Sequence, residues 1–303
     1  WDSVTRSWKH RAALVGQVSL LLIDEVHMLN DERGCALEVV VARMRAIAES
    51  THVRVRGWPA ATMRTVALSV TVTNANDVAQ WLRCPPEATF AFGDEMRGTT
   101  LTTHVLGYES KHNGFLFEKS LTGRVHSVVA RYAEGKQCLV FCPSRPSTVK
   151  VAAQIVLEDA SARCGTGAVR TAVLSATAAE RNRLRAASAQ LTATEPQLAR
   201  LIAAGAAYHH AGTSARARGI VEGLFRDGAL RVLCATSTLA QGINLPAFCV
   251  VVCSTQRWRG SADGYVEMKR AMLMQQIGRA GRPPYETRGT AVIMTQTSTQ
   301  QQY

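Results

Sequence analysis

The chain has 303 residues, of which 47% are hydrophobic and 19% are charged; this balance argues against intrinsic disorder and leaves room for two packed domains. A formal net charge of +12 indicates a surface that attracts polyanions, either nucleic acid or an anionic membrane surface. No apolar run reaches the roughly 18 residues that a membrane-spanning helix needs, so we expect no membrane association through such a helix.

Short apolar runs that alternate with helical patterns predict parallel sheets covered by helices. In the first part of the chain, 17–23 and 65–69 are predicted strands, and apolar residues at helical spacing predict a helix between them. The periodicity is lost over 93–114, where Gly, Thr and charged residues dominate. The predicted organisation is a first domain, a linker and a second domain, over residues 1–97, 98–114 and 115–303.

The second domain repeats the alternation of strands and helices. Its predicted strands are 137–141, 206–209, 231–235, 248–253 and 290–294. Its predicted helices are 148–157, 215–225 and 265–277. The Ala-rich stretch 160–204 predicts a helical insertion, and the Gln- and Thr-rich end, 295–303, predicts a frayed terminus.

Two carboxylates, Asp24 and Glu25, stand where the first predicted strand ends. Ligands of open parallel sheets bind at the carboxyl ends of the strands. One carboxylate there can hold Mg²⁺, which prefers oxygen ligands, while its neighbour polarises an attacking water. We assign the first role to Asp24 and the second to Glu25, although a solvated acidic turn explains the pair of residues equally well.

A second pattern, near the other end of the chain, pairs Arg279 with Arg282 in a Gly-rich helix end that two prolines follow. Guanidinium groups three positions apart lie on one face of a helix. They can grip phosphate oxygens with paired hydrogen bonds and stabilise charge that develops during phosphoryl transfer. An ordinary helix end explains the glycines and prolines but leaves the two arginines unexplained.

The cysteines do not predict a metal site. Cys138 with Cys142, and Cys249 with Cys253, lie four residues apart, but both pairs fall in apolar stretches that predict buried strands. No matching Cys or His pair has the spacing of metal ligands, so free thiols in a reducing compartment are expected.

The two charged patterns resemble the terminal motifs of superfamily two helicases. Asp24-Glu25-Val26-His27 resembles the DExH box, and the segment from Gln275 to Arg282 resembles the sixth motif. Three further motifs fall between them in the family's order. Ser175-Ala176-Thr177 spells the third-motif consensus but lies after the fourth motif, inside the predicted insertion, so order excludes it.

The intervening motifs point to the Ski-like group of these helicases. Ser69-Val70-Thr71 resembles the third motif, with Val70 where the family usually has Ala, which puts the coupling of hydrolysis to movement in doubt. Phe141 to Arg145 resembles the fourth motif, and Thr236 to Ala247 is similar to the group's fifth motif. Three stretches, Glu38 to Met44, Val221 to Gly223 and Ser237 to Ala247, most resemble the meiotic crossover-promoting DNA helicases.

The resemblance implies an α/β fold, with two RecA-like parallel-sheet domains in tandem, the first incomplete at its N-terminus, and ATP and Mg²⁺ as cofactors. The implied catalytic residues are Asp24, Glu25, His27, Gln275, Arg279 and Arg282. Nucleotide contacts are implied for Asp24, Glu25, Gly242, Asn244, Arg279 and Arg282, with Asp24 as the metal ligand. Nucleic-acid contacts are implied for Ser144, Arg145, Thr236 and Thr238, and coupling for Ser69 and Thr71. Residues 257–264 lie where related helicases carry a strand-separating hairpin.

One family motif is missing from the sequence: the phosphate-binding loop, Gly-x-x-x-x-Gly-Lys-Ser/Thr, occurs nowhere. In the family this loop lies upstream of the DExH box. We therefore expect it to precede Trp1 in a longer protein, and we expect this chain alone to hydrolyse ATP poorly or not at all.

The function that the resemblance implies is that of an ATP-dependent DNA helicase, moving 3′ to 5′ in meiotic recombination and crossover formation in the nucleus, with single-stranded or branched DNA as its partner. An RNA helicase of the Ski-like group remains an alternative, because single strands are held by phosphate contacts and stacking that distinguish DNA from RNA poorly. A catalytically weak, nucleic-acid-binding pseudohelicase is a second alternative. Val70 and the missing loop favour it, whereas the intact acids and arginines oppose it.

Overall fold

The computed structural model divides into two compact units, residues 1–92 and 93–303. Within the described part of the chain, no helix is long and apolar enough to cross a membrane. The structure describes residues 1–30, 34–69, 72, 74–110, 113–165, 171–237, 239, 245, 247–261, 263–281 and 286–303.

The first unit is built on two parallel strands, β1 (Leu20–Ile23) and β2 (Arg64–Ala67), among its described residues. Its helices are α1 (Asp2–Arg6), α2 (Ala12–Gly16), α3 (Gly34–Glu49), α4 (Thr51–Val55) and α5 (Ala75–Trp81). Short 3-10 helices cover Trp8–Arg11, Val26–Asn30, Pro59–Thr62 and Pro86–Ala88.

The long helix α3 packs on the small sheet through one apolar stripe. Val41, Met44 and Ile47 recur at helical spacing and are buried, as the sequence pattern predicts. They share a core with Leu21 and Ile23, which point to the same face of β1 because they are two residues apart. This packing holds the strand that ends at Asp24.

The second unit is a parallel sheet covered by helices. Its six described strands follow the order β3-β10-β7-β4-β6-β5, and every neighbouring pair is parallel. The strands are β3 (Thr100–Tyr108), β4 (Cys138–Cys142), β5 (Ala206–His209), β6 (Val232–Thr236), β7 (Cys249–Val252) and β10 (Arg288–Gln296). A separate antiparallel pair consists of β8 (Gln256–Trp258) and β9 (Tyr265–Glu267).

The helices of the second unit lie between these strands in the sequence. They are α6 (Gly114–Thr122), α7 (Val125–Tyr132), α8 (Arg145–Arg163), α9 (Ala178–Leu191), α10 (Pro196–Ala204), α11 (Ala215–Arg226) and α12 (Arg270–Ile277). All residues of β4, β5 and β7 are buried, since helices cover parallel strands on both faces. The expected α/β class is confirmed, and the five described cysteines in or beside the central strands are buried as free thiols.

Three predictions about the second unit are wrong. Residues 98–114, predicted as a linker, contain β3, which pairs along its whole length with β10, so the division of the chain falls earlier. The predicted helix 265–277 starts instead with β9, because 265–267 pair with β8. The predicted frayed end is ordered: β10 extends to Gln296, and a 3-10 helix, Thr297–Gln302, follows it.

Candidate functional site

The two strand-end acids directly follow β1. Asp24 is exposed, and its Oδ1 accepts a hydrogen bond of 2.9 Å from the Glu25 N–H. Glu25 has a left-handed backbone with a φ of 55°, which residues with a side chain rarely adopt. Such conformations cluster at functional sites, where the surrounding structure holds them in place. Here the conformation turns the chain from β1 into the 3-10 helix that begins at Val26.

The side chains of Glu25, His27 and Ser69 form a connected row. Glu25 Oε2 lies 3.4 Å from His27 Nε2, and His27 Nδ1 lies 3.2 Å from the Ser69 hydroxyl oxygen. The His27 side chain is 9% exposed, so its position is largely fixed by packing. The row joins the predicted catalytic acid to a predicted coupling residue.

The backbone brings Ser69 to this position by continuing the pairing of β1 with β2. Leu68 donates its N–H to the Ile23 carbonyl at 2.8 Å, and its own carbonyl accepts the Val26 N–H at 2.9 Å. The ends of both strands therefore stay side by side beyond the sheet. Thr71, the other predicted coupling residue, and Val70 lie outside the described residues.

The acids fit the chemistry of a hydrated divalent cation. Asp24 and Glu25 offer carboxylate oxygens. Glu25 Oε2 is buried and lies 3.4 Å from His27 Nε2, yet it accepts no hydrogen bond from the described residues. A buried acceptor without a donor is costly, and a ligand or water bound beside it would relieve that cost. The described residues hold no group of three potential metal ligands, so Mg²⁺ here would complete its shell with water and phosphate oxygens.

The predicted sixth motif occupies the end of α12 in the second unit. Gln275 and Arg279 are both half-buried, and the chain continues into an isolated parallel bridge between Ala280 and Ala247. Gly281 donates its N–H to the Ala247 carbonyl at 2.9 Å. The structure thus joins the end of the fifth motif to the sixth. Arg282 lies outside the described residues.

Sequence analysis missed two residues that hold this motif. Arg97 donates to the Ala280 carbonyl at 2.9 Å, and the buried Thr99 donates its hydroxyl to the Gly281 carbonyl at 2.6 Å. Both stand more than 180 positions earlier in the chain, in the stretch where the periodicity is lost. No local pattern marks them.

The predicted fourth motif forms the start of α8. Ser144 caps the helix: its Oγ accepts the Ser147 N–H at 3.3 Å, and the Ser147 Oγ accepts the Ser144 N–H at 3.0 Å. Arg145 is exposed in the first turn. Burial, together with the charge of Arg145, holds the pKa of the His210 imidazole below its usual range. A cation beside the N–H groups of a helix start suits a phosphate ligand.

The predicted fifth motif begins next to the fourth. Thr236, the last residue of β6, is the register partner of Cys142, the last residue of β4. The carboxyl ends of these strands therefore place Ser144 and Thr236 at one edge of the sheet. Thr238, Gly242 and Asn244 lie outside the described residues.

Comparison with known proteins identifies helicase relatives. Residues 179–284 match the family described as helicase conserved C-terminal domain. The chain is 39% identical over 301 residues to the ATP-dependent DNA helicase MER3 homolog of Oryza sativa subsp. japonica, covering 99% of the chain and 24% of that protein. It is 39% identical over 308 residues to the probable ATP-dependent DNA helicase HFM1 of Homo sapiens, covering 100% of the chain and 20% of that protein.

A yeast relative extends the same pattern. The ATP-dependent DNA helicase MER3 of Saccharomyces cerevisiae is 33% identical over 311 residues, covering 100% of the chain and 23% of that protein. The chain therefore spans about a quarter or less of the length of these curated relatives.

Proposed function

Because this chain belongs to the Ski-like helicases of superfamily two, in the group of MER3 and HFM1, we propose that it forms part of an ATP-driven motor that separates DNA strands. Its second unit has the RecA-like parallel sheet of a helicase C-terminal domain. The observation that best supports hydrolysis is the row Glu25, His27 and Ser69, in which one imidazole lies between the two motif residues.

In the proposed reaction, Asp24 holds Mg²⁺ and Glu25 orients the attacking water. Mg²⁺, when bound, neutralises charge on the phosphate oxygens. We assign Arg279 and Arg282 to the terminal phosphate, which guanidinium groups can bind with paired hydrogen bonds, and we assign His27 and Gln275 to the coupling of hydrolysis to movement. Gly242 and Asn244, which lie outside the described residues, are assigned to nucleotide contacts by the motif resemblance alone.

Strand contact in this proposal is made by the start of α8 and the end of β6. Ser144, Arg145, Thr236 and Thr238 bind the sugar–phosphate backbone, and Arg145 supplies the positive charge. The cap geometry of Ser144 leaves the exposed guanidinium of Arg145 as the principal anion-binding group of this turn.

The antiparallel pair β8 and β9 supports a strand-separating role for the segment that begins at Arg257. It follows β7 closely, and the Trp258 ring is 59% exposed and lies 5.3 Å from the Tyr265 ring. An exposed aromatic ring on a short hairpin can stack on a base and keep two strands apart.

The motif resemblance further supports 3′ to 5′ movement, a nuclear location and a role in meiotic recombination and crossover formation. DNA is the proposed substrate rather than RNA, and ATP hydrolysis by the isolated chain is expected to be weak. Matched DNA and RNA duplexes, offered to the full-length protein, test the substrate; faster separation of the RNA duplex would replace this proposal by an RNA helicase.

The central experiment replaces the proposed water-orienting acid. In the full-length protein, Glu25→Gln is expected to lower DNA-stimulated phosphate release about 100-fold or more and to abolish strand separation, while DNA binding persists. Glu38→Gln, an exposed carboxylate on α3, is the matched control and should leave hydrolysis unchanged. Unimpaired strand separation by the Glu25 variant would refute the motor mechanism.

A further inference from the structure

A cavity of about 500 Å³ lies in the second unit between the end of β3 and one face of α7. Its polar and aromatic walls come from three separate segments: Tyr108, Arg124, Ser127, Arg131, Tyr132 and Gln300. No carboxylate is among its described lining residues. None of the helicase motifs contributes to it, and we name it the β3–α7 groove.

The exposed face of α7 presents a row of hydrogen-bond donors to this groove. Arg124 stands at the N-cap, and Ser127 and Arg131 follow at spacings of three and four, which keeps all three on one helix face. All three are exposed, while Val125 and Val129 are buried in the core. The row therefore offers one donor per turn, at steps of about 5 Å along the helix axis.

Each arginine of the row stacks on a tyrosine. The guanidinium carbon of Arg124 lies 4.8 Å from the centre of the Tyr108 ring, and that of Arg131 lies 5.3 Å from the centre of the Tyr132 ring. A cation–π contact uses none of the guanidinium N–H groups as hydrogen-bond donors, so these groups remain able to bind an anion. Neither arginine forms an ion pair with a described carboxylate, so the positive charge of the groove is not neutralised from within.

The floor of the groove is held by the terminal 3-10 helix. Gln300 donates its side-chain N–H to the Val105 carbonyl at 2.9 Å. A side chain on Gly107 would meet the Gln300 amide oxygen at 2.3 Å, so glycine at this position is what admits Gln300. The floor of the groove is thus fixed by packing, while the donors of its wall are exposed side chains.

The sheet order fixes where the groove lies relative to the other candidate DNA contacts. Because all strands are parallel, the groove at the end of β3 lies at the same sheet edge as Ser144 after β4 and Thr236 at the end of β6. The hairpin leaves that edge from β7, which stands between β10 and β4. The hairpin therefore separates the β3–α7 groove from Ser144 and Thr236.

Resting on the proposed function, we infer that the β3–α7 groove binds the sugar–phosphate backbone of the displaced strand, on the far side of the hairpin from the strand held by Ser144 and Thr236. A row of three donors extends over about two helical turns, which suits successive phosphates of a strand better than one free phosphate. Arginines that lie over tyrosine rings also suit a strand that slides along the groove, since contacts with phosphate do not depend on the base sequence.

The test compares two DNA substrates that differ only in the displaced arm. The full-length protein is bound, without ATP, to a fork with two single-stranded arms and to a duplex with the 3′ arm alone, with fluorescence anisotropy as the readout. Arg124→Gln with Arg131→Gln is expected to weaken fork binding roughly tenfold and leave one-armed binding unchanged. The slope of the logarithm of the fork-binding constant against the logarithm of the salt concentration should become shallower by about 1.4. This change corresponds to the loss of two phosphate contacts on a single strand.

Two further variants test whether the loss of binding comes from the groove or from a general loss of positive charge or of folding. Arg185→Gln with Arg200→Gln removes the same charge from exposed positions on α9 and α10 and should leave fork binding unchanged. Arg124→Lys with Arg131→Lys keeps the charge and should retain most of the salt dependence.

Two outcomes would overturn the inference while leaving the proposed function intact. The first is equal fork binding by the Gln variant and the wild type, and the second is an equal loss on both substrates. In the first case, weaker binding of a glutamate polymer by the same variant would assign the groove to an acidic protein segment. A wild-type protein that neither binds nor separates the fork would instead refute the proposed function, and the inference with it.

Discussion

His27 Nδ1 lies 3.2 Å from the Ser69 hydroxyl, although the two residues are 42 positions apart along the chain. The other ring nitrogen of His27 lies 3.4 Å from Glu25 Oε2. One imidazole therefore connects the acid that follows β1 to the residue that follows β2. The His27 side chain therefore links Glu25 to the segment after β2, beside the backbone hydrogen bond between Val26 and Leu68.

Ser69→Ala tests that connection. Without the hydroxyl, the His27 ring loses its contact with Ser69, so we expect strand separation by the full-length protein to fall about tenfold while ATP hydrolysis stays within about threefold of wild type. Phosphate release and unwinding are measured on one DNA substrate. Ser19→Ala, an exposed serine before β1, is the control. A parallel loss of both activities would instead give Ser69 a role in hydrolysis itself.

Trp258→Ala tests the hairpin. Its ring is 59% exposed, so truncation removes little packing, and we expect folding and ATP hydrolysis to persist while strand separation falls about tenfold or more. The measurement is the amount of DNA unwound per ATP hydrolysed, compared between the variant and the wild type. Leu157→Ala, which truncates a 62% exposed apolar side chain on α8, should change neither activity. Unaltered unwinding by the Trp258 variant would exclude the hairpin from strand separation.

The carboxylate of Asp159 makes the stability of the second unit depend on pH at acid pH. Burial alone would raise the pKa of this carboxyl, but the nearby His126 imidazole, the N–H groups of Leu174 and Val173 and the Arg163 guanidinium outweigh it and lower the pKa from 3.8 to about 2. The folded pKa is below the unfolded value, so the stabilisation is complete above pH 3.8 and is lost as the pH falls through about 2.

Asp159→Asn should therefore lower the free energy of unfolding near pH 7 by about 1–3 kcal/mol, since buried N–H groups lose a charged acceptor. The difference from wild type should shrink as the pH falls from 4 toward 2. Urea unfolding across this range measures it. Asp227→Asn, an exposed acid at the end of α11, is the control. A difference that is constant with pH would contradict the assigned pKa.

Gly281 is required where the sixth motif passes β10. Its φ is 63°, and a Cβ there would lie 2.8 Å from the Gly289 backbone nitrogen. Gly281→Ala should therefore lower the free energy of unfolding by about 1–3 kcal/mol. Gly219→Ala, in the exposed face of α11 with open space around it, should instead raise it by up to about 1 kcal/mol. Denaturant midpoints of the two variants provide the comparison, and equal shifts would contradict this account.

Strands with buried, apolar sequences were predictable, and strands held by distant partners were not. Residues 206–209 coincide with β5 because all four side chains are buried. By contrast, β3 has the half-buried, Thr-rich sequence of an edge strand, and its one partner among the described strands is β10, from the other end of the unit. Residues 265–267 were assigned to a helix because the three-residue strand β9 is too short to show an alternating pattern.

The residues of the candidate site also fall into those that the sequence could identify and those that it could not. Motif residues that stand close in sequence, such as Asp24 and Glu25, could be named from the sequence because their spacing carries the signal. Arg97 and Thr99 could not, since their contacts with Ala280 and Gly281 cross most of the unit. The sequence predicts a frayed terminal segment, yet the Tyr303 hydroxyl donates a hydrogen bond to Glu267 at 2.8 Å. No local sequence pattern indicates this contact.

The place of β10 between β3 and β7 has a consequence for synthesis of the protein. β3 is made first and β10 last of the six described strands, yet β3 joins the sheet only through β10. During translation, the backbone groups of β3 and β7 that pair with β10 therefore stay without their partners until residues 288–296 have left the ribosome. A chain terminated before that point would leave β3 without its strand partner and one edge of β7 unpaired, which makes it a substrate for chaperones or for aggregation.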